Sequence, residues 1–125
     1  VLRSAAASTP RALERLFREA RIMASVDHPN IVTVYDRGRE DESLWIAMQY
    51  VDGGDAADAL RTGGPMAPER AVDIVDAVAQ GLDYAHEEGM LHRDVKPANI
   101  LLGRSRRGER VLLTDFGIAK AVDDL

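Results

Sequence analysis

The side chains best suited to chemistry lie in the last third of the chain, where the run HRDVKPAN occupies residues 92–99. Asp94, Asn99 and the more distant Asp115 offer oxygen donors, which are the ligands that Mg²⁺ prefers in proteins. Lys96 follows Asp94 by two residues, so an extended loop would direct both side chains to the same side. A carboxylate beside an ammonium group can orient a hydroxyl and neutralise a phosphoryl group. The pattern therefore predicts a site for Mg²⁺ and a transferring phosphate.

Together with the tripeptide DFG that begins at Asp115, this run resembles the catalytic loop and metal-binding motif of eukaryotic-type (Hanks-type) protein kinases. The resemblance implies that Asp94 accepts or orients the substrate hydroxyl, while Asn99 and Asp115 hold Mg²⁺ at the phosphates. A lysine two residues after the aspartate, here Lys96, is typical of serine/threonine kinases, where this lysine contacts the γ-phosphate. The amino-acid sequence around both motifs is most similar to that of bacterial members of this kinase family. The implied cofactors are ATP and Mg²⁺, and the implied partners are proteins that present serine or threonine.

Further positions extend the resemblance on either side of the catalytic loop. Glu19 is similar to the glutamate that pairs with the ATP-binding lysine of kinases. Arg93 is similar to the arginine that reaches a phosphorylated residue of the activation loop. Met23, His92 and Phe116 resemble the members of a regulatory stack of apolar side chains.

Residues 48–51 resemble the gatekeeper and hinge of the family, where backbone groups of Gln49 and Val51 would hydrogen-bond adenine. Gln49 stands where glutamate is more usual. Because the implied hinge contact is made by the main chain, we expect this difference to matter little to ATP binding. The implied nucleotide-binding residues are Met48, Gln49, Val51, Asp55 near the ribose, Leu101 beneath the adenine, and Asp115 at the phosphates.

Two long helices are predicted from apolar residues that recur at helical spacing. The first covers residues 10–25, with Thr9 as its cap, and the second covers residues 68–88. A short alanine-rich helix between them is expected to end near Leu60. The residues expected on the apolar face of the second long helix are Ala71, Ile74, Val75, Val78, Leu82 and Ala85.

Runs of β-branched and aromatic residues predict strands over residues 31–36 and 43–51, joined by a polar hairpin loop over residues 37–42. Two shorter apolar runs, at residues 99–102 and 111–113, predict a second hairpin. This hairpin would follow the catalytic loop and lead into the DFG motif.

The glycines at residues 53–54 stand between a part with a helix and two strands and a mainly helical part. This arrangement predicts two packed subdomains in an α+β fold, and the resemblance implies a two-lobed protein-kinase-like fold that is truncated. Residues 1–51 would be the N-lobe remnant, with a helix and two strands. Residues 52–125 would be the hinge and the C-lobe up to the DFG motif. A cleft between two such lobes is a common place for a ligand.

Composition narrows the function classes. The 125 residues are 46% hydrophobic and 30% charged, enough for a core, and the net charge of −5 argues against general nucleic-acid binding. The absence of cysteine excludes disulfides and thiolate chemistry. No apolar run is long enough to predict a membrane segment. We expect a cytoplasmic chain, whose full-length parent could be membrane-anchored.

Kinases of this type carry a glycine-rich loop and a lysine before the first helix, and an activation segment after DFG. Neither the loop nor that lysine stands in this sequence, so we expect a fragment with little or no activity alone. Two other hypotheses stay open. One is a truncated pseudokinase that acts as a regulatory or binding module, and the other is a small-molecule phosphotransferase. A chain that binds a kinase partner but not Mg·ATP would fit only the pseudokinase hypothesis. Transfer of phosphate to a small alcohol, and never to protein serine, would support the small-molecule phosphotransferase.

Overall fold

The computed structural model describes residues 2–3, 14, 18, 24–41 and 43–116. Within these ranges the chain forms a three-stranded sheet, a two-stranded sheet and two α-helices that are described along their full length, which confirms the prediction of an α+β fold. None of the helices in these ranges is long and apolar enough to cross a membrane. In chain order the elements are β1 (Leu2–Arg3), β2 (Val34–Glu40), β3 (Ser43–Met48), a short helix (Ala56–Gly63), a long helix (Pro68–Glu87), a 3₁₀ helix (Pro97–Asn99), β4 (Ile100–Ser105) and β5 (Gly108–Leu113).

The first predicted helix falls mostly outside the described residues. Glu14, Arg18 and Ala24, which are described, are helical. Glu19 and Met23 lie outside the described residues, and their roles stay predictions.

The three-stranded sheet has the order β1-β3-β2, with both pairs antiparallel. The predicted hairpin is present, but the bounds of its first strand (31–36) and of its loop (37–42) were wrong, because β2 starts at Val34 and continues to Glu40. The pair Glu40–Ser43 closes the hairpin next to Asp41, whose φ of 55° suits a tight turn. β3 ends at Met48, earlier than predicted.

Gly38 accounts for the difference between the predicted loop and the observed strand. It pairs with Trp45 across the hairpin, and a Cβ at this position would overlap the indole ring. A glycine inside a strand often marks such a close approach. The sequence shows a glycine among charged residues, whereas in the structure the tryptophan covers it.

The segment before β2 joins the first sheet to the second. Ile31 forms a parallel bridge with Leu113, and the Leu113 amide donates to the Asn30 carbonyl at 2.8 Å. The Asn30 side chain donates to the Val111 carbonyl at 3.0 Å. Because Ile31 and Leu113 are among the most buried residues, this junction lies in the core and fixes the end of β5.

The long helix runs from Pro68 to Glu87, which confirms its prediction to within one residue. A proline at the first helical position and Gly89 just beyond the end, with φ 81°, account for its limits. Its buried face includes Ile74, Val78 and Ala85. Val75, predicted to share that face, is 67% exposed. It follows Ile74 by one residue, about 100° around the helix.

β4 and β5 form the second predicted hairpin, but both strands extend further toward its tip than expected. Arg70 on the long helix makes a two-pronged ion pair with Glu109 on β5, at 3.0 and 2.7 Å. The pair holds the hairpin against the helix. A cavity of about 820 Å³ borders this contact, and none of the residues predicted for the site lines it.

Candidate active site

The loop that follows the long helix ends in one turn of 3₁₀ helix, Pro97–Asn99. A proline suits the first position of such a turn because its φ is already fixed. The Asn99 amide donates to the Lys96 carbonyl at 2.9 Å and closes the turn. The turn brings Asn99 back toward the residues that precede it.

Asp94, Lys96 and Asn99 form one cluster. The Asn99 side-chain nitrogen donates to the Asp94 carbonyl at 2.8 Å and to its carboxylate oxygen Oδ2 at 3.3 Å. The Lys96 ammonium lies 3.6 Å from the same carboxylate oxygen. Asn99 is buried, whereas the Lys96 side chain is 54% exposed and the Asp94 side chain is 34% exposed. The carboxylate is thus held from the protein side and remains open to solvent.

Asp115 is brought to this cluster by the end of the second hairpin. The Thr114 amide donates to the Asn99 carbonyl at 3.0 Å, so Asp115 follows directly after a residue bonded to Asn99. Asp115 itself is exposed. The three predicted oxygen donors, Asp94, Asn99 and Asp115, therefore lie on neighbouring segments of the chain.

Arg93 and Asp115 have φ values of 71° and 60°, in the left-handed region that costs a non-glycine residue about 1–3 kcal/mol. Arg93 directly follows His92, and Asp115 directly follows Thr114. The two preceding residues are hydrogen-bonded to each other, with the His92 ring nitrogen Nε2 at 2.6 Å from the Thr114 carbonyl. His92 and Thr114 are both buried. This bond gives the two strained residues a common support. No residue pattern around Thr114 predicts that it holds the two motifs together.

The His92 ring is neutral, and its tautomer follows from its partners. The Asp94 amide donates to Nδ1 at 3.1 Å, so the ring proton is on Nε2, which donates to Thr114. The ring also packs on Phe116, with 4.5 Å between centroids and 59° between planes. His92 and Phe116, two of the three residues predicted to stack, are thus in contact.

Burial lowers the pKa of His92 below its usual value, although the Thr114 hydrogen bond and the carboxylates of Asp94 and Asp115 oppose this. The unfolded chain therefore binds more protons than the folded one as the pH falls through the ordinary histidine range near 6.5. We expect the free energy of unfolding, measured with urea in EDTA, to fall between pH 7.5 and 5.5. His92→Asn should reduce this dependence, whereas His86→Gln, at an exposed position, should keep it. Equal pH dependence in all three proteins would contradict the assignment.

The hinge segment continues after β3 through residues 49–55, and residues 53–55 cross directly over β4. The Leu102 amide donates to the Gly54 carbonyl at 2.9 Å, and Asp55 forms an isolated bridge with Leu101. Gly53 has φ 135°, and a Cβ there would overlap the Leu102 carbonyl oxygen. Only glycine allows this approach. Asp55 and Leu101, predicted to contact the ribose and the adenine, are therefore neighbours.

Asp55 also has a structural role that the sequence analysis missed. Its carboxylate accepts from the Asp58 amide at 2.8 Å, and the Asp58 carboxylate accepts from the Asp55 amide at 3.3 Å. This capping box starts the short helix. The spacing of the two aspartates was the signal that could have revealed it.

The predicted hinge residues lie together at the end of β3. Met48 is its last residue and is 40% exposed, and Gln49 and Val51 are half-buried. Val51 packs against Gly103 of β4. A Cβ added to Gly103 would lie 3.0 Å from the Cγ1 atom of Val51. The segment thus runs from the first sheet to the second, past Leu101.

The oxygen donors of the site suit Mg²⁺. The Asn99 side-chain nitrogen is committed to Asp94, which leaves its oxygen as the atom that can hold a cation, and Asp115 adds a carboxylate. Among the described residues no cluster of three or more acidic or histidine side chains could hold a metal alone. Mg²⁺ is commonly bound through one or two carboxylates with phosphate and water.

Comparison with known proteins places the fold. The family described as "Protein kinase domain" matches residues 2–124. The chain belongs to the protein kinase family. Among its relatives are the serine/threonine-protein kinases PknJ and PknF of Mycobacterium tuberculosis. PknJ is 58% identical over 111 residues, which is 88% of this kinase chain and 19% of PknJ. PknF is 48% identical over 127 residues, which is 99% of this chain and 27% of PknF.

Solved kinase domains have the same fold. A double mutant of the Mycobacterium tuberculosis PknI kinase domain matches with a TM-score of 0.80 and 45% identity, over 90% of this chain and 44% of that one. Rad53 in complex with AMP-PNP matches with a TM-score of 0.79 and 30% identity, over 86% of this chain and 29% of that one. The predictions of a kinase-like fold and of a bacterial Hanks-type serine/threonine kinase domain are confirmed. This kinase chain spans about a fifth to a quarter of the two curated relatives.

Proposed function

We propose that this protein is a serine/threonine protein kinase that transfers the γ-phosphate of ATP to protein hydroxyls. The observation that carries the proposal is the cluster at the end of the catalytic loop. There Asn99 holds the Asp94 carboxylate, the Lys96 ammonium lies 3.6 Å from it, and the Thr114 amide ties Asp115 to Asn99. Phosphoryl transfer depends mainly on positioning and electrostatics, which such a cluster can supply.

In the proposed reaction the hydroxyl oxygen of the acceptor forms a bond to the γ-phosphorus as the bond to the ADP oxygen breaks. Asp94 orients the hydroxyl and takes its proton. Lys96 offsets the negative charge on the transferring group. Both side chains are partly exposed, so an acceptor can approach them.

Asn99, through its side-chain oxygen, and Asp115 would hold Mg²⁺. When bound, the ion supplies positive charge at the ATP phosphates. Asn99 is well suited to a fixed ligand role because its amide nitrogen is held by Asp94 and its backbone by Lys96 and Thr114.

The remaining assignments follow from the resemblance and the hinge geometry. Glu19 would pair with a lysine that positions the phosphates, and Arg93 would bind a phosphorylated activation loop. Residues 1–51 would belong to the N-lobe, and residues 52–125 to the hinge and C-lobe. The nucleotide would contact Met48, Gln49, Val51, Asp55 and Leu101.

The test uses the full-length protein with γ-labelled ATP, Mg²⁺ and a general acceptor protein. We expect label on the acceptor, recovered after acid hydrolysis as phosphoserine or phosphothreonine, and no transfer when EDTA removes Mg²⁺. Label on phosphotyrosine only, or transfer to small alcohols and never to protein, would contradict the proposal.

A further inference from the structure

The hydrogen-bond ladder between β2 and β3 ends in an unusual way at Gln49. The last regular pair is Val34–Met48. One residue further, the Gln49 amide donates to the Thr33 carbonyl at 2.8 Å, as it would in a continuing antiparallel ladder. In such a ladder the Thr33 amide would donate in return to the main-chain carbonyl of Gln49.

The Thr33 amide donates instead to the side-chain oxygen Oε1 of Gln49, at 3.2 Å. The side chain thus takes the place of its own main-chain carbonyl. Thr33 is half-buried, and a half-buried amide needs an acceptor to avoid an unfavourable loss of hydrogen bonding. Because the Gln49 side chain satisfies the Thr33 amide, the main chain can diverge from β2 after Gln49. The next residue, Tyr50, is 86% exposed.

We infer that Gln49 is a specificity-determining residue whose side chain releases its main-chain carbonyl to accept a hydrogen bond from the exocyclic amine of adenine. This inference rests on the proposed function. The new element is the role of the side chain, since a main-chain contact by itself would be indifferent to residue type. It also explains why glutamine can stand where glutamate is more usual, because both side chains end in an Oε acceptor.

The alternative is that the contact only stabilises the end of the sheet. The two readings differ in their effect on nucleotide choice. Without the side-chain acceptor, the main-chain carbonyl of Gln49 would turn to the Thr33 amide and away from the nucleotide. The preference for a base with an amine over a base without one would then be lost. A merely structural contact would weaken all nucleotides alike.

The test compares the dissociation constants of ATP and purine riboside triphosphate, which carries hydrogen in place of the amine and keeps the acceptor nitrogen N1, by calorimetry on the full-length protein with Mg²⁺. The wild type should bind ATP at least about tenfold more tightly than purine riboside triphosphate. Gln49→Met, which keeps the length of the side chain without a strong acceptor, should bind ATP about tenfold more weakly and purine riboside triphosphate almost unchanged. Gln49→Glu should restore the preference.

An equal loss of affinity for both nucleotides in Gln49→Met, or an unchanged preference, would overturn this inference and leave the proposed function standing. A wild type that binds neither nucleotide would overturn both. If Gln49→Met does not fold, Gln49→Leu replaces it, with folding checked by circular dichroism before the titrations.

Discussion

Asp94→Asn is expected to reduce the turnover of the full-length protein by about 10²–10⁴-fold at saturating ATP and acceptor, the usual contribution of general acid–base catalysis. Asparagine keeps the shape of the side chain and an oxygen that can accept from the Asn99 amide, which lies 3.3 Å from the carboxylate. It loses the negative charge that Lys96 faces and the ability to take a proton. The fold and the affinity for Mg·ATP should therefore remain close to those of the wild type.

The matched control is Asp83→Asn, the same exchange at an exposed position on the long helix. Its turnover should equal that of the wild type. Initial rates of phosphate transfer, together with dissociation constants for Mg·ATP, separate catalysis from binding. If Asp94→Asn keeps wild-type turnover, Asp94 is not the group that handles the acceptor hydroxyl.

Gly53→Ala is expected to destabilise the protein by about 2–6 kcal/mol. The left-handed backbone and the forced approach would each contribute about 1–3 kcal/mol. At φ 135° an L-residue is strained, and the new Cβ would overlap the carbonyl oxygen of Leu102, a backbone atom that cannot simply rotate away. Because the hinge crosses β4 at this point, its displacement should also weaken ATP binding.

Gly63→Ala is the control for this exchange. Gly63 ends the short helix, and a Cβ there would meet no atom within 4 Å. Alanine at a helical position should stabilise by up to about 1 kcal/mol. Urea unfolding of both variants measures the difference, and a Gly53→Ala midpoint equal to that of the wild type would contradict the close approach of hinge and strand.

The catalytic loop and the long helix could be predicted because their signals are local. Asp94, Lys96 and Asn99 stand within residues 92–99, and a proline start, a 3.6-residue period and Gly89 define the helix. β2 could not be predicted in the same way. Gly38 is explained only by Trp45, which lies on the partner strand.

The contacts that support the site could also not be predicted from the sequence, because they join residues that are distant along the chain. Thr114 binds His92, 22 residues away, and Gln49 binds Thr33, 16 residues away. Such pairs depend on the register of a strand and the path of a loop, which residue types do not reveal. Sequence alone identified Gln49 as a main-chain contact and assigned no role to its side chain.

The most direct test of the central claim is a crystal structure of the full-length protein, or of its kinase domain, with an ATP analogue and Mn²⁺ located by anomalous scattering. The account predicts the ion bound to the Asn99 side-chain oxygen and the Asp115 carboxylate. Asp94 should face the acceptor side without ligating it. An ion bound elsewhere, or a nucleotide that does not reach these residues, would contradict the assignment of this cluster as the site of phosphoryl transfer.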